Sequence, residues 1–156
     1  MTPKDFIAAI APAAHAVFVA NPQILASITI AQAAIESGWG QDAPGYNLFG
    51  IKADPAWTGA FTTQPTHEYV NGRYVAITAR FRAYPGYQAS LEDHAAFLLQ
   101  NPRYAPALAA ASQGAQAYAQ QLQACGYSTN PQYAHLLMEI VNTHDLTSYD
   151  VVVASA

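Results

Sequence analysis

The chain has 156 residues, 52% of them hydrophobic and only 10% charged, which excludes a disordered chain and suits one domain with a substantial core. Its net charge of −4 offers no basic footprint for nucleic acid and no electrostatic hold on an anionic membrane surface. A lone cysteine, Cys125, excludes an internal disulfide and reads as a small buried thiol.

Thr2-Pro3 caps a first helix, with Asp5 well placed in the first turn. It is predicted to run to about Ala20, bent at Pro12. The segment reads as an amphipathic core helix; a signal peptide over Ile7 to Ala20 is the alternative. No segment reaches the about 18 uncharged apolar residues of a membrane span without a Pro or polar break, so membrane insertion is not expected.

A second helix follows, with Asn21 as its cap and Pro22 in the first helical position. Ile24, Ile28, Gln32 and Glu36 step by four and share one stripe, which Leu25 and Ile35 widen. Ser37-Gly38 ends the helix. Glu36 therefore sits at the negative end of the macrodipole among apolar neighbours. Both effects raise a carboxyl pKa. A carboxyl that keeps its proton near neutrality can act as a general acid. The plain alternative is a last-turn Glu reaching solvent. The flanking Trp39, Tyr46, Asn47 and Phe49 favour a sugar site instead.

Pro44, Gly45, Pro55 and Gly59, with Trp57, predict an ordered loop wrapping that site. Asn47 either orients a substrate group or satisfies loop backbone, and both readings stay open. Residues 66–70 and 73–81 flank Asn71-Gly72, the strongest short-range hairpin signal. Glu68 then opposes Val75 and shares a face with Ile77, while His67 and Tyr69 point the other way. Glu68 is thus either a functional carboxylate or a gatekeeper charge on an outer face.

Beyond the hairpin the chain is helical again. Ser90 and Asp93 form a capping-box-like pair opening a helix to about Leu99. Asn101-Pro102 and Asn130-Pro131 repeat a cap-then-Pro signature, and Gly126 closes a helix from about Gln113. A last helix covers about Gln132 to Thr143, and Tyr149 to Ala156 reads as a strand-forming or loosely packed tail. The expected fold is α+β, mainly helical, with a small β-hairpin lobe, as one domain over 1–156.

Among the four Glu, Glu92 suits a helix dipole and Glu139 has no feature asking for catalysis. Glu36 and Glu68 remain, on opposite sides of a cleft. Two carboxyls flanking a bond are the recurring machinery of glycoside hydrolysis. The five His lack metal-ligand spacing, so no metal and no cofactor is expected. Ser37 has no nucleophile-elbow context, and a Cys125 nucleophile would need a nearby His. Trp39, Tyr46 and Tyr127 fall in loops where sugar faces could stack.

The strings AQAAIESGWG, NLFGIKAD, THEY with its Asn-Gly turn, FRAYPGYQASLEDHAAFL, NPRY and CGYSTNPQYA occur in the order seen in glycoside hydrolase family 73. From about Pro3 to Leu146 the chain resembles those bacterial and phage peptidoglycan hydrolases, including the muramidase half of flagellar rod-capping proteins. The resemblance implies a lysozyme-like fold and cleavage of the β-1,4 link between N-acetylglucosamine and N-acetylmuramic acid, mostly as an endo-β-N-acetylglucosaminidase. It implies that Glu36 is the general acid, that Glu68 holds the second acidic position, and that Tyr127 is the tyrosine facing the acid, with Tyr133 following it. Trp39, Tyr46, Asn47, Phe49 and Tyr133 would shape the subsites. Ser128 and Asn130 replace the usual Ala and Asp of that stretch, removing one negative charge. The implied partner is the peptidoglycan glycan strand, met by a monomer at the bacterial wall or periplasm. With no clear signal peptide, a holin-released phage endolysin made in the host cytoplasm is the expected setting. A lytic transglycosylase, a muramidase and a non-catalytic wall-glycan-binding module are the alternatives.

Overall fold

A computed structural model describes residues 1–152. Helix α1, Pro3–Ala20, opens on a reciprocal capping box: the Asp5 amide donates to Thr2 Oγ1 at 3.1 Å, and the Thr2 amide donates to the Asp5 carboxylate at 3.3 Å. The helix continues through Pro12. Its 18 residues and mean hydropathy of 1.2 make it, against expectation, long and apolar enough to cross a membrane by length and composition. In the folded chain it buries Phe6, Ile7, Ile10, Ala11, Ala14, Val17 and Phe18 in the core.

Helix α2, Ala26–Ser37, starts four residues later than Asn21-Pro22 predicts, with Leu25 at its N-cap position. Asn21 closes a turn instead, its carbonyl accepting from the Ile24 amide at 2.9 Å. The orphan amides of α2 are met from the far end of the chain. The Ser27 amide and hydroxyl donate to the two oxygens of Asp150, at 2.8 and 2.5 Å. No local pattern could disclose that cap. Helix α2 is buried almost all round, as its lack of charge before Glu36 requires, and packs against α1, the later helices and a 3-10 turn, Leu146–Tyr149.

Strands β1, Phe61–Val70, and β2, Arg73–Arg82, form one antiparallel hairpin in the predicted register, with Glu68 opposite Val75 and Thr66 opposite Ile77. Asn71 and Gly72 both take positive φ, 52° and 78°, as a two-residue turn of this twist demands. Lys52 bridges to Phe81, so the loop before the hairpin is stitched to β2.

Helix α3, Tyr87–Gln100, begins three residues before the predicted Ser90. Ser90 and Asp93 do not cap it, because tertiary partners claim both. Ser90 Oγ accepts from the Leu48 amide at 3.2 Å, and Asp93 accepts from Tyr84 Oη at 2.5 Å and from Arg82 at 3.0 Å. Helices α4, Ala105–Ala110, α5, Ala115–Ala124, and α6, Tyr133–Thr143, complete the helical body. Asn101 and Asn130 both precede short turns before their helices. Of the tail expected over Tyr149 to Ala156 as strand-forming or loosely packed, Tyr149 ends a 3-10 turn, Asp150 caps α2, and Val151 and Val152 are exposed and not in a strand; residues 153–156 lie outside the described residues.

Candidate active site

Helix α2 delivers Glu36 and then turns sharply away. Gly38 takes the left-handed conformation at φ 56°, and the Trp39 amide donates back to the Ala34 carbonyl at 2.9 Å. Ser37 locks the exit: its hydroxyl donates to the Ala33 carbonyl at 2.6 Å and accepts from the Gly40 amide at 2.9 Å. Gly40, at φ 83°, runs against the Phe6 ring, which a Cβ there would meet at 2.9 Å.

The turn leaves Glu36 on the wall of a cleft of about 370 Å³. Asp42, Pro44, Asn47 and Gly50 line one side, and Thr62, Gln64, Thr66 and Phe81 of the hairpin line the other. The Glu36 carboxyl opens to solvent through this cleft, so it is not the buried acid expected from its neighbours. Protein still surrounds it closely enough for desolvation to raise its pKa, and among the described residues no hydrogen bond or charge partner pulls that pKa back. The negative end of the α2 dipole acts in the same direction.

Behind Glu36 stands an aromatic wall. Tyr127 stacks on Tyr133, with centroids 5.7 Å apart and planes at 13°, and contacts Tyr104 and the edge of His94. Tyr133 Oη accepts from Gln32 Nε2 at 3.1 Å, one helical turn before Glu36. Burial raises both phenol pKa values, and the nearby Glu36 charge adds to it, so both rings are neutral hydroxyls. His94 is buried and stacks on Phe49 at 3.8 Å; burial lowers its pKa to about 3.

Residues 14–146 match the family described as mannosyl-glycoprotein endo-beta-N-acetylglucosaminidase. The chain belongs to this glucosaminidase family. It is 46% identical over 123 residues to the peptidoglycan hydrolase FlgJ of Escherichia coli K12, covering 73% of this chain and 38% of that protein. The exo-glucosaminidase LytG of Bacillus subtilis is 39% identical over 137 residues, covering 83% of this chain and 47% of that protein. The chain thus spans less than half the length of these relatives. The catalytic domain of the autolysin Auto from Listeria monocytogenes superposes with a TM-score of 0.83 at 34% identity, covering 94% of this chain and 86% of that one. The fold is the α+β, mainly helical, lysozyme-like one of such glycoside hydrolase domains.

Within this member of the family, the sequence-predicted residues divide into two sets. Glu36, Tyr127 and Tyr133 come together, and Asn47 lines the same cleft. Asn47 spends its amide on the loop: it donates to the Ile51 and Arg82 carbonyls, both at 2.9 Å, and accepts from the Phe49 and Ile51 amides. It orders the cleft edge, the backbone role left open above. Glu68 lies one step beyond Thr66 on the same strand face, 42% exposed and ion-paired with Lys52. Its surroundings are therefore charged and wet, not the apolar ones its register suggests.

Three predicted contacts are brought elsewhere. Phe49 is buried on His94. Trp39 packs edge-on between Phe6 and His144, with centroids 5.9 and 5.3 Å away. Tyr46 stands edge-on to Tyr87. Sequence reasoning missed Asp42, Thr62, Gln64 and Lys52. Period-two alternation, carried back from Glu68 through Thr66, would have found the two strand residues. Among the described residues, no group of three or more His, Cys, Asp or Glu is placed to hold a metal ion.

Proposed function

We propose that this chain is a peptidoglycan hydrolase that cuts the β-1,4 bond between N-acetylglucosamine and N-acetylmuramic acid as an endo-β-N-acetylglucosaminidase. The observation that carries the reading is Glu36: a carboxyl of raised pKa, without a partner among the described residues, opening into a cleft between helical body and hairpin. The family match and the likeness to the peptidoglycan hydrolase FlgJ, the exo-glucosaminidase LytG and the autolysin Auto support the substrate class.

In this mechanism Glu36 protonates the departing glycosidic oxygen, which its raised pKa suits. Glu68 then steers the attacking water or stabilises positive charge on the sugar ring, the second of the two carboxyl roles in glycoside hydrolysis. Tyr127 and Tyr133, held neutral, form a packed wall behind the acid, with Tyr133 2% exposed and its hydroxyl bonded to Gln32, while Asn47 keeps the cleft edge in shape. Residues 1–156 act as one catalytic unit, as a monomer, on the bacterial wall. A phage endolysin is the setting we favour.

The test is digestion of purified peptidoglycan, borohydride reduction of new ends, and mass spectrometry. The reading expects reduced glucosamine ends, absent with Glu36→Gln. Reduced muramic acid ends would make the protein a muramidase, and 1,6-anhydro ends a transglycosylase. Digestion by Glu36→Gln at the parent rate would remove Glu36 from the chemistry.

A further inference from the structure

We propose that the outer face of the β1–β2 hairpin, turned away from the cleft, is a second glycan-binding surface that holds a stem-bearing strand while the cleft cuts it. The proposal rests on the peptidoglycan reading above and extends it from the bond to the polymer.

The register divides the hairpin into two unlike faces. Thr62, Gln64, Thr66 and Glu68 point to the cleft side and are half-buried; Phe61, His67 and Tyr69, with Tyr74 and Arg80 across from them, point out. The outward rings are far more exposed than packing would leave them: Tyr69 76%, Tyr74 64% and Phe61 48%. They are also organised. His67 stacks flat on Tyr74, with centroids 4.6 Å apart and planes at 15°, and Tyr69 leans on Tyr74 at 5.2 Å. Arg80 lies over the Phe61 ring at 4.6 Å. A two-stranded hairpin gains stability by burying a face, so a run of large rings left in water points to a ligand.

Charge selects the ligand. The whole chain carries −4, yet the hairpin holds three of its six Lys and Arg, namely Arg73, Arg80 and Arg82, against one carboxylate, Glu68. Arg82 turns inward to Asp93 and Asp54, and among the described residues Arg80, on the ring-bearing face, makes no ion pair; Arg73, paired with Val70, falls on the Glu68 side at the exposed tip of the hairpin. Rings that accept the apolar C–H faces of sugars, with the Arg80 guanidinium beside them and Arg73 at the exposed hairpin tip, fit a glycan whose peptide stems carry carboxylates. Continuity fits as well. Glu68 and Tyr69 are adjacent residues on opposite faces of β1, so a strand leaving the cleft over the hairpin edge meets the rings directly.

The experiment compares full-length parent, Tyr69→Thr/Tyr74→Thr and Tyr69→Phe/Tyr74→Phe, each with Glu36→Gln to stop digestion, in sedimentation with purified sacculi at rising salt. Threonine keeps strand propensity, so the hairpin survives the change. We expect retention to fall about tenfold for the Thr pair, a factor equal to 1.4 kcal/mol, to persist for the Phe pair, and to weaken with salt through Arg80. Equal retention of the Thr pair and the parent overturns the proposal. So does a parent dimer that the Thr pair abolishes at unchanged retention, because the face is then a self-interface. Active chains carrying Glu36 are run in parallel for release of reducing ends. Release with equal retention leaves the peptidoglycan reading standing and removes only this surface. Loss of retention without any release does the reverse, and a parent neither retained nor active overturns both.

Discussion

Two local effects act on Glu36 with the same sign: desolvation by the protein around it and the negative end of α2. Because its folded pKa is raised, the native state holds this proton to higher pH than the unfolded chain does. The associated stability is present below the unfolded pKa and lost as pH rises through the folded one. Activity follows the same proton, so kcat/KM should fall on the alkaline side as Glu36 ionises. Glu36→Gln is expected to lower kcat by about 10²–10⁴ while raising Tm at neutral pH, because the unfolded parent ionises this carboxyl freely and the folded environment disfavours its charge. A Gln variant with lower Tm at neutral pH and an unchanged alkaline limb would contradict both parts. Glu36 was readable in the sequence because its determinants, helix end and neighbours, are local. Phe49 was not: its partner is His94, forty-five positions on, and no spacing rule distinguishes a ring stacked in the core from one offered to a sugar.

Helix α2 depends on an element it never meets in sequence. Ser27 and Asp150 are 123 positions apart, yet Asp150 fills the role that the sequence assigns to Asn21. Losing a side-chain N-cap typically costs about 0.5–2 kcal/mol. Asp150→Ala should lower stability by that amount, and Asp150→Asn by less, since one acceptor oxygen remains. Thermal or urea unfolding checks this, and an Ala variant as stable as the parent would show that the cap contributes nothing. The same contrast explains which elements were legible. The hairpin register followed from Asn71-Gly72, whose turn chemistry is self-contained. The starts of α2 and α3 were misjudged because Asn21, Ser90 and Asp93 are locally good caps whose side chains or backbone are claimed by other partners.

The whole molecule is a helical body and a hairpin lobe joined through few groups. Arg82 is the main one: its guanidinium meets Asp93 of α3 at 3.0 Å and Asp54 at 3.7 Å, donates to the Lys52 carbonyl at 3.1 Å, and lies over the Trp57 ring at 4.6 Å. Gly45 closes the same seam: its carbonyl accepts from the Tyr84 amide at 2.7 Å, and a Cβ there would meet Ala83 at 2.7 Å. The hairpin's strand-to-strand backbone bonds lie within itself, and among the described residues only Asn47 and residues 51–53 add bonds to the β2 backbone, so the lobe can loosen without opening the core around α2. Arg82→Met keeps the stem and removes the charge. It should leave Asp93 short of a partner at a cost of about 1–3 kcal/mol, spent at the seam and not in the core. Native-state hydrogen exchange should then show β1 and β2 amides opening at lower free energy than in the parent, with α2 and α5 amides nearly unchanged. Cleavage should weaken more than Tm does, because Thr62, Gln64 and Glu68 move with the lobe while Glu36 stays with the body. If α2 amides lose as much protection as the hairpin, the two parts unfold as one unit and the cleft is not a seam between separately stable pieces.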